Sequence, residues 1–121
     1  MSYLLGLDIG TSGVKGLLLS AEGEIKLTLT ENYPLYTPHP GWAEQNPEDW
    51  WEATSKCIRG IISKSGIDPA EIKGISFSGQ MHSSVFLDEN MEIIRPAILW
   101  SDTRTSKQRQ AVSRIKYAVA C

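Results

Sequence analysis

The sequence predicts a domain of the α/β class, and three observations carry that prediction. Three short apolar runs open the chain, joined by spacers at residues 10–13 and 21–24 that are short enough for hairpins. A segment with helix start signals follows, and further strand-like runs come after it. The 121 residues make one ordinary domain, and 41% hydrophobic with 21% charged residues is typical of a globular protein.

The three N-terminal runs are interpreted as strands at residues 3–9, 14–20 and 25–30. The first is apolar at nearly every position, which favours a central strand buried on both faces. The third alternates apolar and polar residues, which is typical of a strand with one solvated face. Because the spacers are short, the sequence predicts an antiparallel meander.

A helix is predicted to begin directly after Asn46, since that residue is a favourable N-cap. Pro47 suits the first helical position, and Glu48 and Asp49 favour the positive end of the helix dipole. Apolar residues then recur at helical spacing until Gly66 ends the run.

Aromatic residues are concentrated in and before this helix. Trp50 and Trp51 fall on its first turn, and we expect both to pack on the sheet rather than to stack on a ligand. Trp42 is expected to anchor the proline-rich loop that precedes the helix. Cys57 lies on the apolar face and is expected to be inert core.

The rest of the chain is predicted as short elements. They are a helical turn at Asp68-Pro69, strands at residues 75–78, 84–87, 92–94 and 96–100, and a helix at residues 105–120. From Arg104 onward the chain has five basic residues and no acidic one. This tail is interpreted as a solvated helix face or as a partner for acids elsewhere.

Charge and composition argue against several classes of protein. A net charge of −2 argues against a global binder of polyanions. No apolar run approaches the ~20 residues of a membrane span, and the N-terminus lacks the marks of a signal peptide. Cys57 and Cys121 make neither a disulfide framework nor a zinc cluster, so a cytoplasmic location is expected.

The first candidate site follows the first strand. Asp8 is a lone charge in an apolar run and is expected to be buried, which would cost several kcal/mol unless a ligand or other partners compensate it. Gly10 permits a tight turn with exposed N–H groups, Thr11 and Ser12 add hydroxyls, and Lys15 adds a positive charge. A carboxylate for Mg²⁺ beside such a loop suits the phosphates of a nucleotide. The alternative is an ordinary hairpin turn in which Asp8 caps its own backbone.

The second candidate site lies at the end of the strand predicted at residues 75–78, where an α/β sheet presents ligand groups. Gln80 and His82 offer directional hydrogen bonds and Met81 offers an adaptable apolar wall, a combination that suits a sugar. The alternative is a core histidine satisfied by a backbone carbonyl.

The third candidate group is Trp100, Asp102 and Arg104. An aromatic ring can form the wall of a sugar site, and a carboxylate with a guanidinium can grip hydroxyl groups. The alternative is that Asp102 and Arg104 form an ion pair that only shapes the wall.

Five segments together resemble one family. Residues 6–15 resemble the opening phosphate motif of the FGGY carbohydrate kinases, within the actin-like ATPase superfamily. Residues 40–51 are similar to the loop and helix start of xylulokinases, and residues 78–82, 87–90 and 95–104 follow the same pattern. The match covers most of this chain but only the start of the family's two-domain protein.

The resemblance implies a fold and a reaction. The fold would be a ribonuclease-H-like, actin-like ATPase domain, with residues 1–121 as the N-terminal part of the first kinase domain and the second domain absent. The complete protein would move the γ-phosphoryl group of ATP to D-xylulose and give D-xylulose 5-phosphate. The general base, an Asp in the family, would lie beyond this chain, so the chain alone is expected to be inactive.

The resemblance also implies roles for individual residues. Asp8 would hold Mg²⁺, while Gly10, Thr11 and Ser12 would cradle the phosphate. Met81 and His82 would contact the sugar. Ser101 departs from the Asn usual in xylulokinases, which removes the expectation of a polar contact there.

Other functions stay open at this point. A gluconokinase-type kinase of the same family shares the Met-His pair. A non-catalytic actin-like module, a truncated product, or a nucleic-acid-handling ribonuclease-H-like domain are alternatives of other classes. The expected partners are the sugar and ATP, without nucleic acid or membrane, and a homodimer is left open.

Overall fold

A four-stranded sheet organises the protein, which a computed structural model describes over residues 1–119. The predicted end of the last helix at residue 120 and Cys121 lie outside the described residues. The elements are β1 (Tyr3–Ile9), β2 (Gly13–Ser20), β3 (Ile25–Asn32), β4 (Glu44–Gln45), α1 (Pro47–Ser65), a 3₁₀ turn (Pro69–Glu71), β5 (Ile72–Gly79), β6 (Ala97–Ile98) and α2 (Ser106–Val119).

The predicted meander is confirmed. β1, β2 and β3 pair antiparallel in sequence, and β5 adds to the other side of β1 in parallel, so the strand order is β3-β2-β1-β5. A parallel pair needs a long crossover, and α1 supplies it between β3 and β5. The α/β class predicted from the order of elements is therefore confirmed.

Helix α1 begins and ends where its sequence signals predicted. The Asn46 side chain accepts a 3.1 Å hydrogen bond from the backbone N–H of Glu48. Gly66 adopts a left-handed φ of 68° and donates its N–H to the carbonyl of Ile62. Both caps satisfy backbone groups that the helix leaves unpaired at its termini.

The core lies between α1 and one face of the sheet. Its buried members are Tyr3, Leu5, Leu7, Val14, Leu18, Tyr33, Ala53, Cys57 and Ile61. The helix lies so close to β2 that a Cβ atom at Gly16 would meet Cys57 Sγ at 2.7 Å. Burial raises the pKa of the Cys57 thiol, which agrees with the inert core cysteine expected from the sequence.

Two burial predictions are wrong. β1 is buried on one face only, because α1 covers the side of Leu5 and Leu7 while Leu4, 48% exposed, and Asp8 lie on the other. Trp51 is 69% exposed, because it lies one position from Trp50, which does pack against the core, and so points to another side of the helix.

A second, two-stranded sheet brings the C-terminal part of the chain beside the start of α1. β4 and β6 pair antiparallel, with Glu44 opposite Ile98. The strands predicted at residues 84–87 and 92–94 are reduced to isolated bridges, including Leu87 with Ile93. No helix within residues 1–119 is both long and apolar enough to cross a membrane.

Candidate functional site

The ends of β1 and β5 bring two of the predicted site segments together. Ile9 is the register partner of Gly79, and the next N–H, that of Gln80, donates a 3.1 Å hydrogen bond to the carbonyl of Ile9. The 10–13 turn and the 80–82 segment therefore leave the sheet side by side. They border an open cavity of about 390 Å³ lined by Asp8, Gly10, Thr11, Gly79, Gln80, Met81, His82 and Trp100.

Asp8 occupies the rim of this cavity but is not buried. Its side chain is exposed, and Ser78 Oγ donates a 2.8 Å hydrogen bond to Asp8 Oδ1. The expectation of a costly buried carboxylate is therefore wrong, since Asp8 points to the sheet face that α1 does not cover. Asp8 lines two cavities, this one and a second of about 420 Å³ that Lys15 also lines. This position makes Asp8 a candidate ligand-binding group.

The packing of the turn requires a glycine at position 13 but not at position 10. A Cβ atom at Gly13 would lie 2.9 Å from Asn32 Cα, so the backbone of β3 excludes a side chain there. A Cβ atom at Gly10 would stand 3.5 Å from the carbonyl of Gly13 and 3.9 Å from Asp8 Oδ2, which are ordinary contacts. Nothing in the described fold requires glycine at position 10, and its bare backbone leaves space open beside the Asp8 carboxylate.

The remaining residues of the predicted phosphate loop are placed unequally. Thr11 is half-buried and lines the cavity with Met81 and His82, whereas Ser12 is exposed and is not among its lining residues. Lys15 lies on β2 opposite Asp8 and borders the second cavity instead. The structure therefore joins Asp8, Gly10 and Thr11 directly to the predicted sugar segment and sets Ser12 and Lys15 to one side.

Met81 and His82 present their side chains to this cavity. Met81 is 73% exposed, and His82 has a left-handed φ of 59°. A non-glycine residue with such a φ is uncommon and is often found at functional sites. His82 is exposed, which contradicts the alternative of a core histidine.

Gln80 turns its amide inward. Its Nε2 donates to the carbonyl of Gly10 at 3.1 Å and to Gln45 Oε1 at 2.7 Å. Its Oε1 is buried and has no hydrogen-bond partner within the described residues. The Gln80 side-chain amide thus has neither a free donor nor an exposed oxygen, and its contact with a sugar stays a prediction.

Gln45 and Tyr33 were not predicted as site residues, and they support the turn together with Gln80 and Trp50. Gln45 and Gln80 are joined to each other, and Trp50 Nε1 donates to Gln45 Oε1 at 2.9 Å. We call Gln45, Gln80 and Trp50 the amide cluster. Tyr33 donates its hydroxyl to the carbonyl of Gly10, and burial together with the nearby Asp8 charge raises the Tyr33 pKa to about 12. Two sequence signals bore on Gln45: its position directly before the helix N-cap and its place in residues 40–51, which resemble xylulokinases.

Asp102 and Arg104 form an ion pair inside the protein and do not line the cavity. Arg104 donates to Asp102 through Nε and a terminal nitrogen at 2.7–3.0 Å, and this guanidinium lowers the Asp102 pKa to about 2. The backbone N–H of Ala43 also donates to Asp102 at 2.7 Å. The wall-shaping alternative describes what the structure contains, and substrate contact by this pair stays a prediction.

The same arginine extends the pair into a larger group. Arg104 reaches Glu44 at 2.8 Å and lies over the Trp42 ring at 3.7 Å, while Arg95 also pairs with Glu44. We call Glu44, Arg95, Asp102 and Arg104 the ionic cluster. It ties the segment after Trp100, which does border the cavity, to β4. Trp42 thus anchors its loop through Arg104, as expected of an anchoring residue.

The residues at the cavity fit a magnesium ion that is held by a single carboxylate. No group of three or more His, Cys, Asp or Glu side chains that could hold a metal occurs within the described residues. Mg²⁺ does not need one, because it commonly takes one or two carboxylates and completes its shell with water and phosphate oxygens. Asp8 supplies such a carboxylate, and the cavity that it lines together with Gly10 leaves room for the other ligands.

Comparison with known proteins gives a consistent result. The sequence model described as the FGGY family of carbohydrate kinases, N-terminal domain, matches residues 3–119. The chain is 44% identical over 108 residues to the xylulose kinase of Bacillus subtilis strain 168, covering 89% of this chain and 22% of that protein. It is 40% identical over 104 residues to the gluconokinase of the same organism, covering 86% and 20% respectively.

Comparison of the fold with solved structures points to the same family. The crystal structure of ligand-bound xylulose kinase from Lactobacillus acidophilus superposes with a TM-score of 0.90 at 30% identity, over 99% of this chain and 24% of that one. The predicted actin-like ATPase fold is thereby confirmed as a partial N-terminal domain. The chain spans about a fifth of the length of the curated relatives it matches, 22% and 20% for the two named above.

Proposed function

The chain belongs to the FGGY family of carbohydrate kinases, and from that premise we propose that it forms the start of a kinase that phosphorylates D-xylulose with ATP. The observation that carries the proposal is the single cavity shared by Asp8 and Gly10 on one side and Met81 and His82 on the other. One cavity bordered by a phosphate-type turn and a sugar-type segment is what transfer of a phosphoryl group between two bound molecules requires.

Each residue contributes a physical function to the transfer. Asp8 offers a carboxylate at the place where an ATP-bound magnesium would come, and the bare backbone of Gly10 leaves room for a phosphate. Bound Mg²⁺ would neutralise charge on the phosphates. Met81 supplies an apolar surface for one face of the sugar, and His82 supplies ring nitrogens for its hydroxyl groups.

The proposal assigns other tasks to the rest of the protein. Phosphoryl transfer needs a general base at the attacking hydroxyl, and the family resemblance puts that residue downstream of residue 121. Residues 1–121 would then be the N-terminal part of the first of two domains. With ATP, Mg²⁺ and D-xylulose, we expect the isolated chain to release no ADP at enzyme-like rates.

Gluconate is the second candidate substrate. The 40% identity to a gluconokinase supports it, while the larger identity to a xylulose kinase, 44%, favours D-xylulose. D-Gluconate is a six-carbon acid with a negatively charged carboxylate at its first carbon, whereas D-xylulose is a neutral five-carbon ketose. A charged substrate would gain from a fixed cation at the cavity, but its lining among the described residues includes no lysine or arginine and does include the Asp8 carboxylate.

The test is a chimera in which this chain replaces the matching segment of the Bacillus subtilis xylulose kinase. We expect ADP release that depends on D-xylulose and exceeds the rate with D-gluconate. A folded chimera, judged by a cooperative thermal transition, that is inactive with both sugars or prefers gluconate would contradict the proposal.

A matched pair of methionines sharpens that test. Met81 and Met91 are 73% and 74% exposed, but only Met81 borders the cavity. We expect Met81→Ala to lower kcat/KM for D-xylulose about tenfold with little change in the KM for ATP, a loss of ~1.4 kcal/mol in transition-state binding. Met91→Ala is the control, and equal effects of the two substitutions would remove Met81 from the site.

A further inference from the structure

Gln45 is a fully buried amide whose hydrogen-bonding groups are all engaged. Its Nε2 donates to the carbonyl of Thr11 at 2.6 Å and to that of Pro34 at 3.3 Å. Its Oε1 accepts from Trp50 Nε1 at 2.9 Å and from Gln80 Nε2 at 2.7 Å. A primary amide has two donor hydrogens and two acceptor lone pairs, so this side chain is saturated.

The partners of Gln45 belong to both halves of the proposed site. Thr11 is part of the turn that borders Asp8, and Gln80 directly precedes Met81 and His82. Gln80 in turn donates to the carbonyl of Gly10. Two adjacent carbonyls of the turn, those of Gly10 and Thr11, are therefore held by two amides that are bonded to each other.

This anchoring fixes the direction of the turn's N–H groups. In a trans peptide the C=O of one residue and the N–H of the next point in opposite directions. With the carbonyls of Gly10 and Thr11 turned towards the two amides, the N–H groups of Thr11 and Ser12 point away from them. Neither N–H has a hydrogen-bond partner among the groups that the structure describes, so both can bind an anion.

We propose that Gln45 is a positioning residue, which orients the backbone of the 10–13 turn for phosphate and sets its distance from the sugar segment. The proposal deepens the proposed function and rests on it for its consequence in catalysis. A side chain with two donor hydrogens and an acceptor oxygen suits the position. A glutamate side chain in the same conformation would place a carboxylate oxygen against the carbonyl oxygens of Thr11 and Pro34. A methionine would leave the Trp50 N–H and the Gln80 amide without their acceptor.

The structural half of the proposal is tested on the chain itself by amide hydrogen exchange. Three N–H groups report on the turn and its neighbours: Gly10 bonded to Gly13, Tyr33 bonded to Ser12, and Gln80 bonded to Ile9. In Gln45→Met we expect these amides to exchange about tenfold faster or more, while the β1 and β2 amides change little.

A core variant separates local from global loosening. Ile61 is fully buried under the sheet and outside the site, so Ile61→Val should raise exchange at the turn and in the strands by a common factor. The same uniform pattern in Gln45→Met, or no change at the three reporting amides, would overturn the positioning role.

The catalytic half is tested in the chimera with Bacillus subtilis xylulose kinase. Because Gln45 contacts both segments, Gln45→Met should lower kcat and raise the KM for ATP and for D-xylulose together, with kcat/KM reduced about tenfold or more for each. Gln45→Glu should be impaired as well, because its buried carboxylate would face the carbonyl oxygens of Thr11 and Pro34 even though it keeps the acceptor for Trp50 and Gln80. Unchanged constants in folded Gln45→Met would overturn the proposal, whereas an inactive wild-type chimera contradicts the proposed function and leaves the exchange result to decide on Gln45.

Discussion

Glu44 and Gln45 are adjacent in β4 and both are buried, yet they belong to two different clusters. Successive residues of a strand point to opposite faces, so Glu44 enters the ionic cluster with Arg104 while Gln45 enters the amide cluster with Gln80. The ionic cluster holds the segment after Trp100, and the amide cluster holds the turn beside Asp8. The site is thus supported on one side by charges and on the other by neutral groups.

The two clusters are expected to control different properties, the ionic cluster the stability of the fold and the amide cluster the geometry of the turn. Charged partners in a low-dielectric setting are costly to separate, so the ionic cluster should respond strongly to loss of one charge and to pH. The amide cluster carries no charge, so its contribution to stability should not depend on pH. Its directional hydrogen bonds instead fix the orientation of the peptide planes. We expect the first cluster to dominate unfolding measurements and the second to dominate catalytic ones.

The largest expected effect comes from removing the central cation. Arg104 is bonded to Asp102 and Glu44, and its side chain is only 11% exposed. Arg104→Met would leave the Asp102 carboxylate without its cation and Glu44 with Arg95 alone, and we expect the free energy of unfolding to fall by about 3 kcal/mol in urea denaturation. Lys26→Met is the control, because the Lys26–Glu24 pair is exposed and its loss should be hardly measurable. A small loss for Arg104→Met would mean that the cluster is not an electrostatic anchor.

The next effect concerns pH. The Asp102 pKa is about 2 in the folded protein, below its ordinary 3.8, so the unfolded chain binds a proton first as the pH falls. Stability from Asp102 is complete above the unfolded-state value and is lost as the pH falls through about 4 to 2, a loss of about 2 kcal/mol.

Two variants isolate this contribution from other carboxylates. Thermal unfolding of Asp102→Asn should show a weaker pH dependence than wild type in the acid range. Gln45→Met should keep the wild-type pH dependence, since the amide cluster carries no charge. Parallel curves for Asp102→Asn and wild type would contradict the assigned pKa and its cause.

The smallest effect on stability is expected within the turn. Gly10→Ala should change the free energy of unfolding by no more than ~0.5 kcal/mol, since a Cβ there makes only ordinary contacts. Gly13→Ala should cost ~1 kcal/mol or more, because its Cβ would press on the backbone of β3. Equal losses in urea denaturation would show that the two glycines have the same role.

Features that depend on residues close together in the sequence could be predicted, whereas contacts between distant residues could not. The caps at Asn46 and Gly66 are local, and the meander depends on short spacers, so both were predicted correctly. The exposure of Asp8 could not be predicted, because an apolar run does not reveal that α1 covers one face only. Gln45 was missed because its contact with Gln80 joins residues 35 positions apart. The site residues were indicated by the family resemblance rather than by periodicity.

The most direct test of the account is the rate of phosphoryl transfer after Gly10→Ala in the chimera. We infer that position 10 lacks a side chain because a phosphate binds beside Asp8, since the fold itself does not demand glycine there. We therefore predict a folded enzyme of wild-type stability whose kcat is reduced about tenfold or more. A Gly10→Ala enzyme that transfers phosphate at the wild-type rate would contradict the claim that this turn receives the phosphate.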